Sequence, residues 1–76
     1  MRPIKRSLTI AGHRTSISLE PAFWDALKTL AAAEGVTVAA LVAGIDQART
    51  EAGDHGAGGL SGRLRVHILE HYRRRR

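Results

Sequence analysis

The sequence predicts a small α+β fold that is mainly helical, and three observations support this class. Polar and apolar side chains alternate over residues 14–19, as in a β-strand with one buried face. Apolar side chains recur at helical spacing over residues 21–34 and again over residues 37–45, with Gly35 between the two segments. The same spacing returns in residues 61–72, after a glycine-rich stretch. We therefore expect one strand, two consecutive helices and a third helix.

The predicted strand has two chemically different faces, because residues two apart in a strand point to the same side. One face can be buried against helices, and the other is a row of hydrogen-bonding groups led by an arginine. The first set is Thr15, Ile17 and Leu19, and the second set is Arg14, Ser16 and Ser18. A lone strand cannot pair its own backbone groups, so it needs a partner strand. Two copies of the chain that pair antiparallel would supply that partner and double the polar row.

Residues 5–10 also alternate, and Ala11-Gly12 after them is a plausible turn, since glycine permits a positive φ. This segment either folds back on the main strand as a hairpin or extends as an arm. We favour an ordered strand, because Leu8 and Ile10 would otherwise be exposed.

The first two helices have recognisable ends. Pro21 suits the first helical turn, where a missing N–H costs nothing, and Gly35 suits the left-handed conformation that ends many helices. Val36 is then expected to pack back on the helix end, and Thr37 to cap the second helix. The expected core stripes are Phe23, Leu27, Leu30 and Ala31 with Trp24 beside them, and Val38, Leu41, Val42 and Ile45.

The C-terminal part is expected to form a third helix. Residues 53–59 contain four glycines and predict a flexible linker. Ser61 is then a candidate N-cap, and the helix must dock on its own dimer or on a neighbour. Its apolar face would hold Leu64, Ile68 and Tyr72, with Leu69 adjacent. The arginines at positions 73–76 are expected to fray into solvent.

The net charge of +5 is distributed unevenly along the chain. Residues 1–19 carry +4, residues 20–54 carry −4 and residues 55–76 carry +5. Basic ends around an acidic middle favour a polyanionic partner, because each neutralised phosphate releases counterions. The alternative is that the basic ends only aid solubility.

Length and composition exclude several classes of protein. A chain of 76 residues is one small domain, and a homodimer is the simplest way to enlarge its core. The absence of cysteine excludes disulfides and thiolate metal sites, and we expect a cytoplasmic location. The longest apolar run, Val38 to Ile45, is far shorter than a membrane span of roughly twenty residues, and the N-terminus lacks the apolar segment of a signal peptide.

One motif suggests an enzyme. Residues 67–71 read H-x-x-E-H, as in one class of zinc peptidases, and His67 and His71 share a helix face. Catalytic zinc needs a third protein ligand and a cleft, and the sequence offers neither convincingly. Arg65 and Arg73 beside the motif also oppose cation binding. We therefore expect no catalytic residues, no metal and no cofactor.

The order of these elements resembles the ribbon-helix-helix family of small dimeric DNA-binding repressors. The resemblance is carried by residues 14–45, by Lys5 to Ser16 followed by Phe23-Trp24-Asp25-Ala26-Leu27, and by Leu60-Ser61 and His71-Tyr72-Arg73, which look like a short bacterial subgroup. It implies an intertwined homodimer with an antiparallel intersubunit β-ribbon and an extra C-terminal helix. The implied dimer core is Ile17, Leu19, Trp24, Leu27, Leu41, Val42 and Ile45.

The resemblance also implies a set of DNA contacts. Arg14, Ser16 and Ser18 occupy the outward ribbon positions that touch bases in the major groove, and Arg14 can bond a guanine edge with two donors. Thr37 and Val38 match the helix start that binds a backbone phosphate. Apart from the resemblance, Lys5 and Arg6 lie just before the ribbon and are candidates for contact with a phosphate or the minor groove, and His13 is a further candidate for backbone contact. The alternative is that these cations are only solvated.

The implied function is a transcriptional regulator that represses by occupying double-stranded DNA. Two alternatives are an antitoxin and a protein-interaction module that engages a partner through the third helix. The expected organisation is a ribbon-helix-helix domain over residues 1–52 with a basic arm or extra strand, a linker over 53–59, and a C-terminal helix with a basic tail over 60–76.

Overall fold

The computed structural model describes residues 2–53 and 59–74. Two strands come first and three helices follow, so the predicted α+β, mainly helical class is confirmed. The elements are β1 (Ile4–Ile10), β2 (His13–Leu19), α1 (Pro21–Glu34), α2 (Val38–Glu51) and α3 (Gly59–Arg73).

The two strands form an antiparallel hairpin, so residues 5–10 are a strand and not an extended arm. The register places Ile10 opposite His13 and Ile4 opposite Leu19. The loop between the strands has only two residues, Ala11 with a φ of 52° and Gly12 with a φ of 82°. Two successive positive φ values are the geometry of a type I′ turn, whose twist matches that of the paired strands.

The hairpin gives β2 a partner strand within its own chain. Along the edge that faces β1, β2 therefore needs no second protomer for pairing. Pairing between two protomers, as in the expected intersubunit ribbon, stays a prediction, since the structure contains one chain.

The ends of α1 and α2 follow the local signals in the sequence. Pro21 lies in the first turn of α1, and Gly35 ends the helix with a φ of 71°. The Gly35 and Val36 N–H groups donate to the carbonyls of Ala32 and Ala31, which confirms the glycine-terminated end. Val36 itself does not pack back as expected, because it remains exposed. The Thr37 hydroxyl accepts from the Ala40 N–H at 3.0 Å and caps α2 as predicted.

A single hydrophobic cluster joins all five elements. All seven residues expected in a dimer core lie in the core of this one chain. In α1 the buried aromatic residue is Trp24, whereas Phe23 is only partly buried, which reverses the order expected from the stripe. The buried residues are Ile10, Ile17, Leu19, Trp24, Leu27, Leu30, Ala31, Leu41, Val42, Ile45, Leu64 and Ile68.

Helix α3 packs on its own chain and contacts β2, α1 and α2. Leu64 and Ile68 are buried in the cluster and Leu60 packs against it, while Tyr72 is exposed, in contrast to the expected stripe. The helix begins at Gly59, so Ser61 lies inside its first turn and does not cap it as predicted. The predicted linker falls largely on residues 54–58, which lie outside the described residues.

No single helix among the described residues is long and apolar enough to cross a membrane. The α1–α2 pair passes the same test of length and composition only when taken together, with a bend of 95° at its break.

Candidate nucleic-acid interface

The hairpin presents one face that the helices leave largely uncovered, which we call the outer face. Arg14 and Ser16 are exposed on it, as the alternation in the sequence predicts, and Ser18 is half-buried. The register adds the residues opposite them on β1: Thr9 faces Arg14, Ser7 faces Ser16 and Lys5 faces Ser18. The outer face is therefore Lys5, Ser7, Thr9, Arg14, Ser16 and Ser18.

The outer face is polar and positively charged. Lys5 lies at the open end of the hairpin on β1, and Arg14 lies near the turn on β2, so the two cations occupy opposite corners. Neither strand contains an acidic residue. Such a face offers donors and acceptors for base edges together with positive charge for phosphates.

Two of the predicted backbone contacts, Arg6 and His13, lie on the opposite face of the hairpin. Arg6 is exposed, and its guanidinium carbon lies 5.5 Å from the centre of the Trp24 ring. This distance fits a cation–π contact, which holds the side chain beside the helices. His13 is exposed next to the turn. Only Lys5 of this group shares the outer face with Arg14.

Helix α3 contacts the C-terminal end of β2, along the edge of the strand that faces away from β1. The Ser18 N–H donates to the Ser61 hydroxyl oxygen at 3.2 Å, and the Arg65 guanidinium donates to the Ser18 carbonyl at 3.3 Å. Arg65 also donates to both carboxylate oxygens of Glu20, at 2.9 and 3.1 Å. We call these contacts of Ser61 and Arg65 with Ser18 and Glu20 the α3 clasp.

The α3 clasp also sets the charge near the ribbon. The hydrogen bonds from Arg65 lower the pKa of Glu20 below its ordinary value, and the backbone N–H of Glu20 acts in the same direction. Glu20 is therefore ionised at neutral pH, and Arg65 compensates its charge. The negative charge of Glu20, the acid nearest in sequence to β2, is therefore paired with Arg65 beside the outer face.

A second anchor fixes the open end of the hairpin on β1. The indole N–H of Trp24 donates to the Ile4 carbonyl at 2.9 Å. Since Trp24 is buried in the core, this bond ties the start of β1 to α1. The open end of the hairpin is thus held by these contacts, while Ile10 beside the turn is buried in the core.

The other predicted phosphate contact is the start of α2. Thr37 is exposed and Val38 is partly buried. The Ala40 N–H donates to the Thr37 hydroxyl, so it is not available to a phosphate. The N–H groups of Val38 and Ala39 have no acceptor within the helix and can donate to one. The structure keeps this site on an element separate from the ribbon.

The H-x-x-E-H motif is engaged in ion pairs with arginines. Glu70 contacts Arg63 at 3.8 Å and Arg74 at 3.6 Å. Burial lowers the pKa of His67, and the Arg63 charge lowers it further. Among the described residues, no three His, Cys, Asp or Glu side chains lie close enough to hold a metal ion. The zinc-peptidase alternative therefore gains no third ligand in this part of the chain.

Two parts of this surface were not expected from the sequence. Ser7 and Thr9 were not assigned to the polar face, although the alternation of residues 5–10 would have placed them there once a hairpin was assumed. Ser61 and Arg65 were also missed as partners of β2. Their contacts join residues 43 to 47 positions apart, and no local pattern in the sequence reports them.

Comparison with known proteins identifies the family. The sequence profile of a ribbon-helix-helix domain matches residues 3–72. A solved structure, that of an uncharacterized protein from Bordetella pertussis Tohama I, is similar, with 34% identity and a TM-score of 0.75. The match covers 92% of this chain and 55% of that one, so this chain spans about half the length of its structural neighbour. A search of curated proteins finds no match.

The family profile covers most of the chain, and it agrees with the observed order of a two-stranded ribbon followed by helices. This chain belongs to the ribbon-helix-helix family, a DNA-binding and non-enzymatic domain family.

Proposed function

We propose that this chain is a sequence-specific DNA-binding regulator that inserts its β1–β2 ribbon into the major groove. One observation carries the proposal: the outer face is polar, cationic and free of acidic residues, although the opposite face of the same hairpin contributes Ile10, Ile17 and Leu19 to the buried core. A two-stranded ribbon fits a major groove of roughly 12 Å, where each base pair presents a distinct hydrogen-bonding pattern.

Arg14 is the principal candidate for base recognition. Its guanidinium has parallel donors that match the two acceptors of a guanine edge, a geometry that lysine does not offer. The Ser16 hydroxyl donates or accepts and therefore meets several bases with less discrimination. Ser18 offers the same chemistry from a half-buried position beside the α3 clasp. Recognition is thus expected to depend mainly on one strong contact with several weaker ones around it.

Backbone contacts are assigned to two regions. The N–H groups at the start of α2, around Thr37 and Val38, are suited to a phosphate because the helix dipole also favours an anion there. Lys5 is placed to reach a phosphate from the edge of the outer face. Arg6 and His13 remain candidates from the opposite side of the hairpin. These contacts would set affinity and salt dependence rather than sequence preference.

Repression by occupancy of an operator is the regulatory mode that we propose, in the bacterial cytoplasm where such an operator would lie. The predicted homodimer stays a prediction. A protein partner is a second role with its own support, because α3 exposes Val66, Leu69 and Tyr72 on adjoining parts of its surface. An antitoxin whose tail wraps its toxin is less well supported, since α3 is already packed against its own chain.

The test is the binding of labelled duplex DNA selected from a random pool. Arg14→Ala should weaken specific binding by about 1–3 kcal/mol, or roughly 5- to 150-fold. The matched control is Lys28→Ala, which removes an exposed cation from α1 and should leave the affinity close to that of the parent. Equal affinity of Arg14→Ala and the parent would contradict the proposal. If the parent protein bound no DNA even at low salt, a pure protein-interaction module would be supported instead.

A further inference from the structure

Helix α3 has an apolar strip on the side that faces away from the core. Although the inner side of the helix is buried, Val66 and Leu69 are 45% and 55% exposed. At 3.6 residues per turn, Gly62 and Arg73 continue the same line towards the two ends of the helix. We call the line of Gly62, Val66, Leu69 and Arg73 the outer seam.

The outer seam has the spacing of a contact between two helices. Its residues follow one another at intervals of four, three and four positions. This repeat keeps one line of side chains facing a neighbouring helix along the whole contact. Because α3 already packs on its own chain with the opposite side, the seam is free to take a helix from another molecule.

A second copy of α3 that runs antiparallel fits the outer seam residue by residue. With the two-fold axis midway between Val66 and Leu69, Val66 of one copy lies level with Leu69 of the second copy, and the reverse. The same axis places Arg73 level with Gly62 of the second copy. The longest side chain of the seam therefore meets the residue that has none, as close packing of two helices requires.

The charges beside the seam are complementary under the same symmetry. Arg63 and Glu70 lie on one flank, 3.8 Å apart within the chain, with their side chains 37% and 41% exposed. In the antiparallel pair, Arg63 comes beside Glu70 of the second copy, and Glu70 beside Arg63, which gives two equivalent ion pairs. Arg74 also contacts Glu70, but it is 79% exposed and lies farther from the seam.

The remaining like charges of the seam lie far apart in this arrangement. The Cα atoms of the two Arg73 residues are separated by roughly 16 Å along the helix axes, at a rise of 1.5 Å per residue. This separation exceeds a Debye length of about 8 Å at physiological salt, so their repulsion is largely screened. A parallel pair would instead place the two Arg73 side chains at the same level.

We propose that α3 carries a self-pairing surface, in which the outer seams of two chains pack antiparallel. The occupant is a second copy and not a different acidic protein, because Arg63 and Glu70 supply both charges of the contact. The seam lies on α3, whereas the intersubunit ribbon expected in this family lies on the strands. The two contacts are separate, so the seam joins ribbon dimers into tetramers.

The contact is short, since each copy contributes one helix of 15 residues. It is therefore weak and forms only at protein concentrations well above those used for optical measurements of unfolding. The inference does not rest on DNA binding, so its failure leaves the proposed function intact, and the reverse also holds.

The first experiment uses two complementary charge variants, Arg63→Glu and Glu70→Arg. Sedimentation equilibrium of the parent should show a mass that rises from two protomers towards four as the concentration increases. Each variant alone should lose this rise, because like charges then meet across the seam. An equimolar mixture should restore it, since each chain meets the opposite charge on the other. Thermal unfolding of each variant, followed by circular dichroism, checks that it remains folded.

Two results of this experiment would overturn the inference. One is a parent mass that does not rise with concentration. The other is a rise in mass that both variants retain undiminished, because the association would then use another surface.

The second experiment tests the antiparallel register. The chain has no cysteine, so one introduced cysteine can form disulfides only between chains. Under mild oxidation, a mixture of Val66→Cys and Leu69→Cys should form covalent pairs several-fold faster than either variant alone, because only the antiparallel register brings these positions level. Thr50→Cys, at an exposed position of α2, is the matched control. If the mixture were cross-linked no faster than Thr50→Cys, the antiparallel contact would be refuted.

Discussion

Replacing Leu64 with alanine removes a fully buried side chain from the contact between α3 and the core. Leu64 is 0% exposed, and it belongs to the same cluster as Ile17, Leu27 and Val42. Truncation of a buried leucine to alanine costs about 2–5 kcal/mol, since it loses apolar burial and leaves a cavity. The total stability of a small domain is roughly 5–15 kcal/mol, so this is a large fraction.

The matched control lies on the same helix. Leu69 is 55% exposed, and Leu69→Ala makes the same chemical change without opening a cavity. Its effect on the free energy of unfolding should stay within about 0.5 kcal/mol. In a domain of this size each kcal/mol shifts Tm by about 4–8 °C, so the Tm values of the two variants should differ by roughly 6 °C or more.

Thermal unfolding followed by circular dichroism measures both variants, and urea unfolding gives the free energies. Equal and small effects of Leu64→Ala and Leu69→Ala would show that α3 does not contribute to the core as described. The α3 clasp would then also lose its support, because Ser61 and Arg65 depend on the docking of this helix. A large effect of Leu64→Ala alone would disfavour a free tail of the kind that an antitoxin uses to wrap its toxin.

Two further predictions concern the turn and the acid range. Gly12→Ala should lower the free energy of unfolding, measured with urea, by about 1–2 kcal/mol, because Gly12 has a φ of 82° that a residue with a Cβ adopts only with strain. An added Cβ would meet no atom within 4 Å, so backbone strain and not a steric clash is the expected cause. The control Gly44→Ala, in a helix with equally open space, should instead stabilise by about 0.5–1 kcal/mol, and the opposite order would refute this account of the turn. Since burial lowers the pKa of His67 in the folded state, the unfolded chain protonates first as the pH falls below about 6.5, and stability is lost in that range. His67→Gln should reduce the fall in the free energy of unfolding between about pH 7.5 and pH 5.5, as measured by urea unfolding at each pH. If the free energy fell as steeply as in the parent, other groups would be responsible for the pH dependence.

Local signals in the sequence predict much of the fold. Alternation identified Ile17 and Leu19 as buried, and single residues with special geometry marked helix ends at Gly35 and Thr37. These features depend on neighbours within a few positions, so they can be read without knowledge of the tertiary structure.

Features that depend on distant residues were harder to predict. The sequence left open whether residues 5–10 form a strand, because that choice depends on pairing with β2 and on the bond from Trp24 to Ile4. Ser61 has the chemistry of a cap, yet its hydroxyl binds a strand 43 positions away. Phe23 and Trp24 are adjacent on α1, and helical spacing alone did not decide which of them faces the core.

The two faces of the hairpin separate stability from recognition. Ile17 is fully buried while its neighbour Ser16 is exposed, so core packing restricts the first position and does not restrict the second. Substitutions at Ser7, Thr9, Arg14 or Ser16 change the surface without removing any side chain from the core. Under the proposed DNA-binding function, sequence preference could therefore change through substitutions at these positions one at a time, while the buried core stayed unchanged.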